Sequence, residues 1–309
     1  MLRSASFVAL ACVLLATLCV VFPASPARAD LLTYFQERSA LSAPLSGHIE
    51  KVAFASTALR DTRTIYVYTP PGYAASSANY PVLVLLHGTP GGPVDWLYKG
   101  EAHTIIDKAI AAKQLPACIA VVVDGHGPYY KGGSEWADSV DGRCRMETAL
   151  VQDLPKFLKS RYRVSSDPAK WTLAGLSSGG YGAANLVIRH PDVFHNAIVL
   201  SGDFEVKDEW GDAQQVFGND PANRAANSPT QHIRTLSPEA RRNLHFYVSI
   251  GADDNDELIA ENETFVSMCR ALGVSVRFDQ DKGKHQWGFW SAHFKTGLAM
   301  MAGWLGTNS

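Results

Sequence analysis

An α/β fold, with a mostly parallel sheet and helices on both faces, is predicted by three observations. Short apolar, β-branched runs alternate along the chain with longer helical patterns. The runs are continuously apolar rather than alternating in polarity, which marks strands covered on both faces. Strand followed by helix recurs, and that rhythm gives parallel strands joined by right-handed crossovers.

The elements follow in order. Residues 65–69, 81–86 (PVLVLL) and 118–123 (CIAVVV) read as strands, with a helix over 101–113 between the last two. Residues 146–161 read as one helix, with Leu150, Leu154, Phe157 and Leu158 on a single face. A strand over 171–174 leads into a helix over 178–189, which Pro191 ends. Strands are expected at 196–200, 244–250 and 274–278, with helices over 257–272 and 289–305. The stretch 203–243 breaks the rhythm. It is rich in Asn, Asp, Pro and Gly and reads as an irregular, lid-like insertion.

The first 29 residues read as an export signal. Arg3 precedes an apolar run over 7–22, Pro23 and Pro26 break it, and Ala27-Arg28-Ala29 is a small-x-small cleavage pattern. The run is shorter than the ~20 residues that a membrane span needs. The expectation is therefore a secreted or periplasmic protein with no stable span after cleavage, and a single domain over 30–309. Cys12 and Cys19 leave with the signal. Cys118, Cys144 and Cys269 remain, enough for one disulfide at most.

Composition narrows the function classes. The chain has 309 residues, 46% hydrophobic and 19% charged, which excludes a disordered, collagen-like or low-complexity protein. Its 28 basic and 30 acidic residues leave a net charge of −2 without a basic cluster, so nucleic acid is not an expected partner. No C-x-x-C or H-E-x-x-H pattern occurs, and neither metal nor cofactor is expected.

Gly175-Leu176-Ser177-Ser178-Gly179 follows a strand and opens a helix. In that context G-x-S-x-G is a nucleophile elbow, and Ser177 is the candidate nucleophile. Its hydroxyl needs a neutral imidazole to take its proton. Of ten histidines, His285 lies in the loop after the last strand, the expected place for the base, whereas His293 reads as a packed helix residue. The chain order Ser…Asp…His calls for a carboxylate after strand 244–250. There Asp254 leads, Asp253 and Asp256 are alternatives, and Asp203 is a more distant one. His87-Gly88-Thr89-Pro90-Gly91-Gly92 follows strand 81–86 as an oxyanion loop. Pro90 has no N–H, so Thr89 is the donor, paired with Ser178. Trp96, Tyr98, Tyr129, Tyr130, Trp136 and Trp287 lie in loops expected to rim the site. Trp136, Tyr129, Trp287 and His126 are the candidate substrate contacts, with Glu135, Asp138 and Arg145 as further polar ones.

LLHGTPGG, DGRCRMETALVQDLPKFLKSRYRV, GLSSGGYGA, SIGADDND and GKHQWGFW together resemble the Putative esterase family of α/β-hydrolases. That family includes feruloyl and acetyl xylan esterases, enterochelin esterase, S-formylglutathione hydrolase and the antigen 85 mycolyltransferases. The likeness covers about 62–304. It implies an α/β-hydrolase fold, Ser177, His285 and Asp254 as the triad, and Thr89 and Ser178 as oxyanion donors. The implied activity is a serine carboxylesterase acting on a small-molecule or carbohydrate-linked ester. The alternatives are an acyltransferase to a sugar hydroxyl, then a serine peptidase or a non-catalytic binding module.

Overall fold

The computed structural model describes residues 26–306. Most of the expected export segment lies outside the described residues. From Pro26 the backbone is helical, in α1 (Pro26–Leu41).

Eight strands form one sheet in the order β1-β2-β4-β3-β5-β6-β7-β8. They are β1 (His48–Ser56), β2 (Asp61–Thr69), β3 (Val82–Leu86), β4 (Ile119–Val122), β5 (Trp171–Leu176), β6 (Asn196–Leu200), β7 (His245–Gly251) and β8 (Ser275–Asp281). β1–β2 and β2–β4 are antiparallel, and all other pairings are parallel. With the helices that follow, this is the α/β-hydrolase fold. Sequence reasoning missed β1. Its buried positions alternate (Val52, Phe54, Ser56), as in an edge strand with one face open, so its apolar run is only Val52 to Ala55 and half of it is alanine.

The sheet divides the core in two. On β3, Val82, Val84 and Leu86 face one cluster and Leu83 and Leu85 face the other, the period-2 consequence of the pleat. The Leu83 face is covered by α2 (Pro93–Tyr98), α3 (Ala102–Ala111) and, later in the chain, α7 (Trp287–Trp304). The Val84 face is covered by α4 (Leu154–Arg161), α5 (Ser178–Arg189) and α6 (Asp256–Ala271). Residues 146–161 are not one α-helix as expected. A short turn Met146–Thr148 passes through a π-helical turn, Ala149–Asp153, before α4 begins. Pro155 supplies the reason: it has no N–H to donate, and its ring crowds the carbonyl four residues earlier.

The expected insertion over 203–243 folds as short helices, including Ala213–Phe217, Pro221–Ala226, Pro229–His232 and Pro238–Arg242. Three begin with proline at the first position, and Asp220 and Ser237 cap two of them through their side chains. Cys118, Cys144 and Cys269 are free and buried, so no disulfide joins them.

Candidate active site

The sheet order sets the geometry. Ser177 follows β5, Asp254 follows β7 and His285 follows β8, all at the C-terminal edge where α/β ligands bind. At ~4.8 Å per strand, the ends of β5 and β8 stand ~14 Å apart. A side chain after β8 must therefore be carried back over the sheet. The loop after β8 turns inward at Gly283, whose carbonyl accepts from Asp253 N–H at 2.9 Å. α7 then runs back across β6, with Gly297 seated on Ile198.

Ser177 occupies φ 53°, ψ −127°, a strained backbone state for a residue with a side chain. It persists because its surroundings fix it. Ser177 N–H donates to Leu200 O, and Ser177 O accepts from Tyr181 N–H, both at 3.0 Å. A Cβ on Gly175 would collide with the backbone of Gly179, which explains the glycines of the motif.

His285 Nδ1 lies 3.1 Å from Asp254 Oδ2. The Asp254 side chain is only 4% exposed, so the pair is sheltered on one side, while the imidazole is 37% exposed. Asp253 gives its backbone N–H to Gly283 O, and Asp256 begins α6. Trp290 stands edge-on to the imidazole at 4.9 Å between centroids. Its Nε1–H is anchored on Ser201 Oγ at 3.1 Å, at the end of β6. Asp254 and Trp290 thus hold two sides of the ring. Sequence gave no sign of the Trp290 brace, because it joins residues 89 positions apart. Among the described residues, no hydrogen bond joins Ser177 Oγ to His285 Nε2; such bonds often tighten only with substrate bound.

The His87–Gly92 loop packs against the elbow. A Cβ on Gly88 would touch Ser177 Cβ at 3.2 Å. Thr89 Oγ1 and Ser178 Oγ are 3.1 Å apart. Among the described residues, neither the Thr89 nor the Ser178 backbone N–H donates to a protein acceptor. His87 pins the loop from beneath. Its Nδ1–H donates to Gly88 O and its Nε2 accepts from Gly125 N–H, both at 3.0 Å. Burial pushes its pKa down to about 4, so it stays neutral.

Ser177, Ser178 and Thr89 open onto a cavity of about 230 Å³. The far wall is Tyr130, Glu135, Asp203, Trp210 and Asp212, most of it from the insertion. Of the sequence-predicted substrate contacts, none lines this cavity. Trp136 is core, 2% exposed, with its ring packed under Gly125 and Gly182. Tyr129 hydrogen-bonds Asp141 under the Arg143 guanidinium. Trp287 packs on Trp96 and Gly100. His126 is paired with Asp124 at 2.5 Å and faces a separate cavity beside α1. Large loop aromatics gain from burial, and Trp136 takes the room that Gly125 and Gly182 leave. Tyr130 and Glu135, named among the secondary candidates, do line the cavity. A larger groove, about 890 Å³ between α3 and α7, holds no elbow or imidazole and stands apart from this chemistry.

His87, Asp124 and His126 cluster closely enough to suggest a metal site. The donor set does not fit one. Both His87 nitrogens are taken by the backbone, and His126 Nδ1 is taken by Asp124.

The fold and this edge of the sheet define an α/β-hydrolase with a serine elbow. A family model described as Putative esterase matches residues 56–301, and the chain belongs to that esterase family. An uncharacterized protein of Corynebacterium glutamicum is 31% identical over 256 residues, 80% of this chain and 58% of that protein. The chain thus spans little more than half of that relative's length. An acetyl esterase of Caldicellulosiruptor saccharolyticus is 23% identical over 281 residues, 82% of this chain and 98% of that one. Among solved structures, a ferulic acid esterase superposes with TM-score 0.74 at 23% identity, covering 84% of this chain and all of that one.

Proposed function

We propose that the protein is a secreted serine carboxylesterase working through Ser177, His285 and Asp254. The observation that carries this reading is the Asp254–His285 hydrogen bond at the sheet edge where the strained Ser177 elbow opens. Asp254 accepts from His285 Nδ1–H, which leaves Nε2 as the base. Ser177 Oγ attacks the ester carbonyl and passes its proton to Nε2. The developing oxyanion takes hydrogen bonds from the Thr89 and Ser178 N–H groups. His285 returns the proton to the departing alcohol and an acyl-enzyme forms. Water, deprotonated by His285, then releases the acid and restores Ser177. The cavity of about 230 Å³ suits a small acyl or alcohol group of an uncharged ester. Among the described residues no helix is long and apolar enough to cross a membrane. Residues 1–29 would direct export.

A fluorophosphonate probe tests the assignment. The wild type should label, and Ser177→Ala should neither label nor release acid from p-nitrophenyl acetate. Labelling retained by Ser177→Ala would refute the nucleophile. Mass spectrometry of exported protein should show a chain beginning at Asp30.

A further inference from the structure

We propose that Glu135 and Asp212 form a substrate subsite on the wall of the Ser177 cavity. It takes an uncharged, hydroxyl-bearing part of the substrate and turns away substrates carrying a carboxylate. This rests on the reading of Ser177 as nucleophile.

Both carboxyls are built into the wall, Glu135 with no hydrogen-bond partner among the described residues and Asp212 held by its own backbone N–H with one oxygen left over. Glu135 is 7% exposed and Asp212 is 3% exposed, yet both line the cavity. Only burial and two neighbouring carboxyls act on the Glu135 carboxyl, which opens onto the cavity, and Asp212 Oδ2 is buried without a hydrogen bond. A buried carboxyl without a partner is costly to leave in place. Nothing in the fold needs these two: Asp212 begins a short helix without capping it through its side chain, and Glu135 holds a positive φ of 48° in a loop.

The surrounding charges decide which ligand fits. Asp203 lies on the same wall, but Lys207 holds it at 3.2 Å and holds Glu261 at 2.8 Å. Glu209 and Lys131 stand at the exposed rim, with the ammonium of Lys131 over the Tyr130 ring. Tyr181, packed behind the wall, gives its hydroxyl to Asn227 O. His285 acts on this group of acids only through Asp203. Glu135 therefore faces carboxyls with no cation of its own. Burial first, then Asp212 and Asp203, push its pKa up to about 8. At neutral pH it is an acid with one O–H to donate and a carbonyl to accept, beside Asp212, an acceptor. A hydroxyl, which both donates and accepts, satisfies this pair without bringing in charge. A carboxylate satisfies neither acceptor and meets Asp212 and Asp203 at close range. The half-buried Trp210 ring, edge-on to Tyr181 at 5.0 Å, adds an apolar face to the same cavity.

Two matched substrate sets test this in the mature wild type and in Glu135→Gln. One varies the alcohol of an acetate: propyl acetate, glycerol 1-acetate, 3-acetoxypropanoate and acetylcholine. The other varies the acid of a methyl ester: butyrate, 3-hydroxybutyrate and monomethyl succinate. The readout is the kcat/KM ratio of each ester to its apolar match, so that the shared dependence on the catalytic base cancels. In at least one set the hydroxylated ester should lead its apolar match. In that set the anionic-to-apolar ratio should fall on the order of tenfold from pH 6.5 to 9.5, as Glu135 ionises. In Glu135→Gln the ratio should be nearly flat. A wild-type ratio independent of pH, or apolar esters leading in both sets, overturns the subsite. Acetylcholine leading at every pH overturns the choice of an uncharged ligand. Fluorophosphonate labelling run alongside separates the two claims. A wild type that is not labelled fails the esterase reading, while a labelled one with flat ratios fails the subsite alone.

Discussion

Glu135 also gives a stability prediction that is independent of any substrate. Its pKa stands at about 8 in the fold against 4.5 for an ordinary glutamate. The sign follows from proton counting. Between those two values the folded chain binds a proton that the unfolded chain has lost. Stability therefore falls as pH rises from 4.5 and levels off once pH passes about 8. At 1.36 kcal/mol for each pH unit, the full penalty above pH 8 is on the order of 5 kcal/mol, an upper figure because a buried site relaxes and admits water. Glu135→Gln keeps the shape of the neutral acid and cannot ionise. The variant should match the wild type near pH 5 and be more stable by several kcal/mol near pH 9. Urea unfolding followed by tryptophan fluorescence, repeated at pH 5, 6, 7, 8 and 9, reads this directly. The wild-type curve should descend more steeply than the variant's by nearly one proton, and the two should run parallel above pH 8. Asp203 and Asp212 also have their pKa values raised by burial, and both are coupled by charge to Glu135, so the difference between the two proteins reports Glu135 together with that coupling. Parallel curves over the whole range would mean that Glu135 is ionised in the native fold, and the reasoning would fail.

Other outcomes follow from the same geometry. Asp254→Asn should leave fluorophosphonate labelling slow but present and lower kcat on the order of 10³- to 10⁴-fold, because the imidazole loses the partner that fixes its tautomer. An unchanged kcat would move the acid to Asp253 or Asp256. Trp290→Phe keeps a ring beside His285 and removes the bond to Ser201, so kcat should fall roughly three- to tenfold while KM holds steady, in line with the loss of ~1 kcal/mol. A rise in KM with kcat intact would count against a positioning role. Burial pushes the Cys144 thiol up to about 11 and the Cys118 thiol to about 12, so native protein should be inert to Ellman's reagent. Denatured protein should titrate three thiols after export, and five if the N-terminal segment is retained.

Where one local rule decides an element, the sequence made it legible. β3 and β6 are continuous apolar runs and α5 follows a glycine-bounded elbow, and each lies where it was read, β3 and β6 within a residue. The elements that escaped depend on distant partners. β1 exists because β2 pairs with it over nine residues, and its exposed positions include Lys51 and two small alanines, Ala53 and Ala55. α1 carries Leu31, Leu32, Tyr34 and Phe35 on its exposed side, so its apolar residues do not face the core as those of the other helices do. The π-helical turn before α4 was foreshadowed by Pro155, but the helical period on either side concealed it.

The site divides along the same line. Ser177, Thr89, Ser178, Asp254 and His285 lie at strand ends, and strand order alone gathers those ends at one edge. The cavity wall is different. It comes from a loop after β4 and from the insertion after β6, segments without a period whose side chains are aimed by tertiary contacts. Trp136 shows why residue type misled. A large ring in a loop beside the site suggests a surface for substrate, yet Gly125 and Gly182 leave room beneath it and the ring fills that room at 2% exposure. Glu135, its neighbour in sequence, takes the place on the wall that Trp136 was expected to hold. A buried tryptophan gains from the hydrophobic effect, whereas a buried carboxyl gains nothing unless a ligand meets it. On the subsite proposed above, the unpartnered acid is a better guide to the substrate than the aromatic beside it.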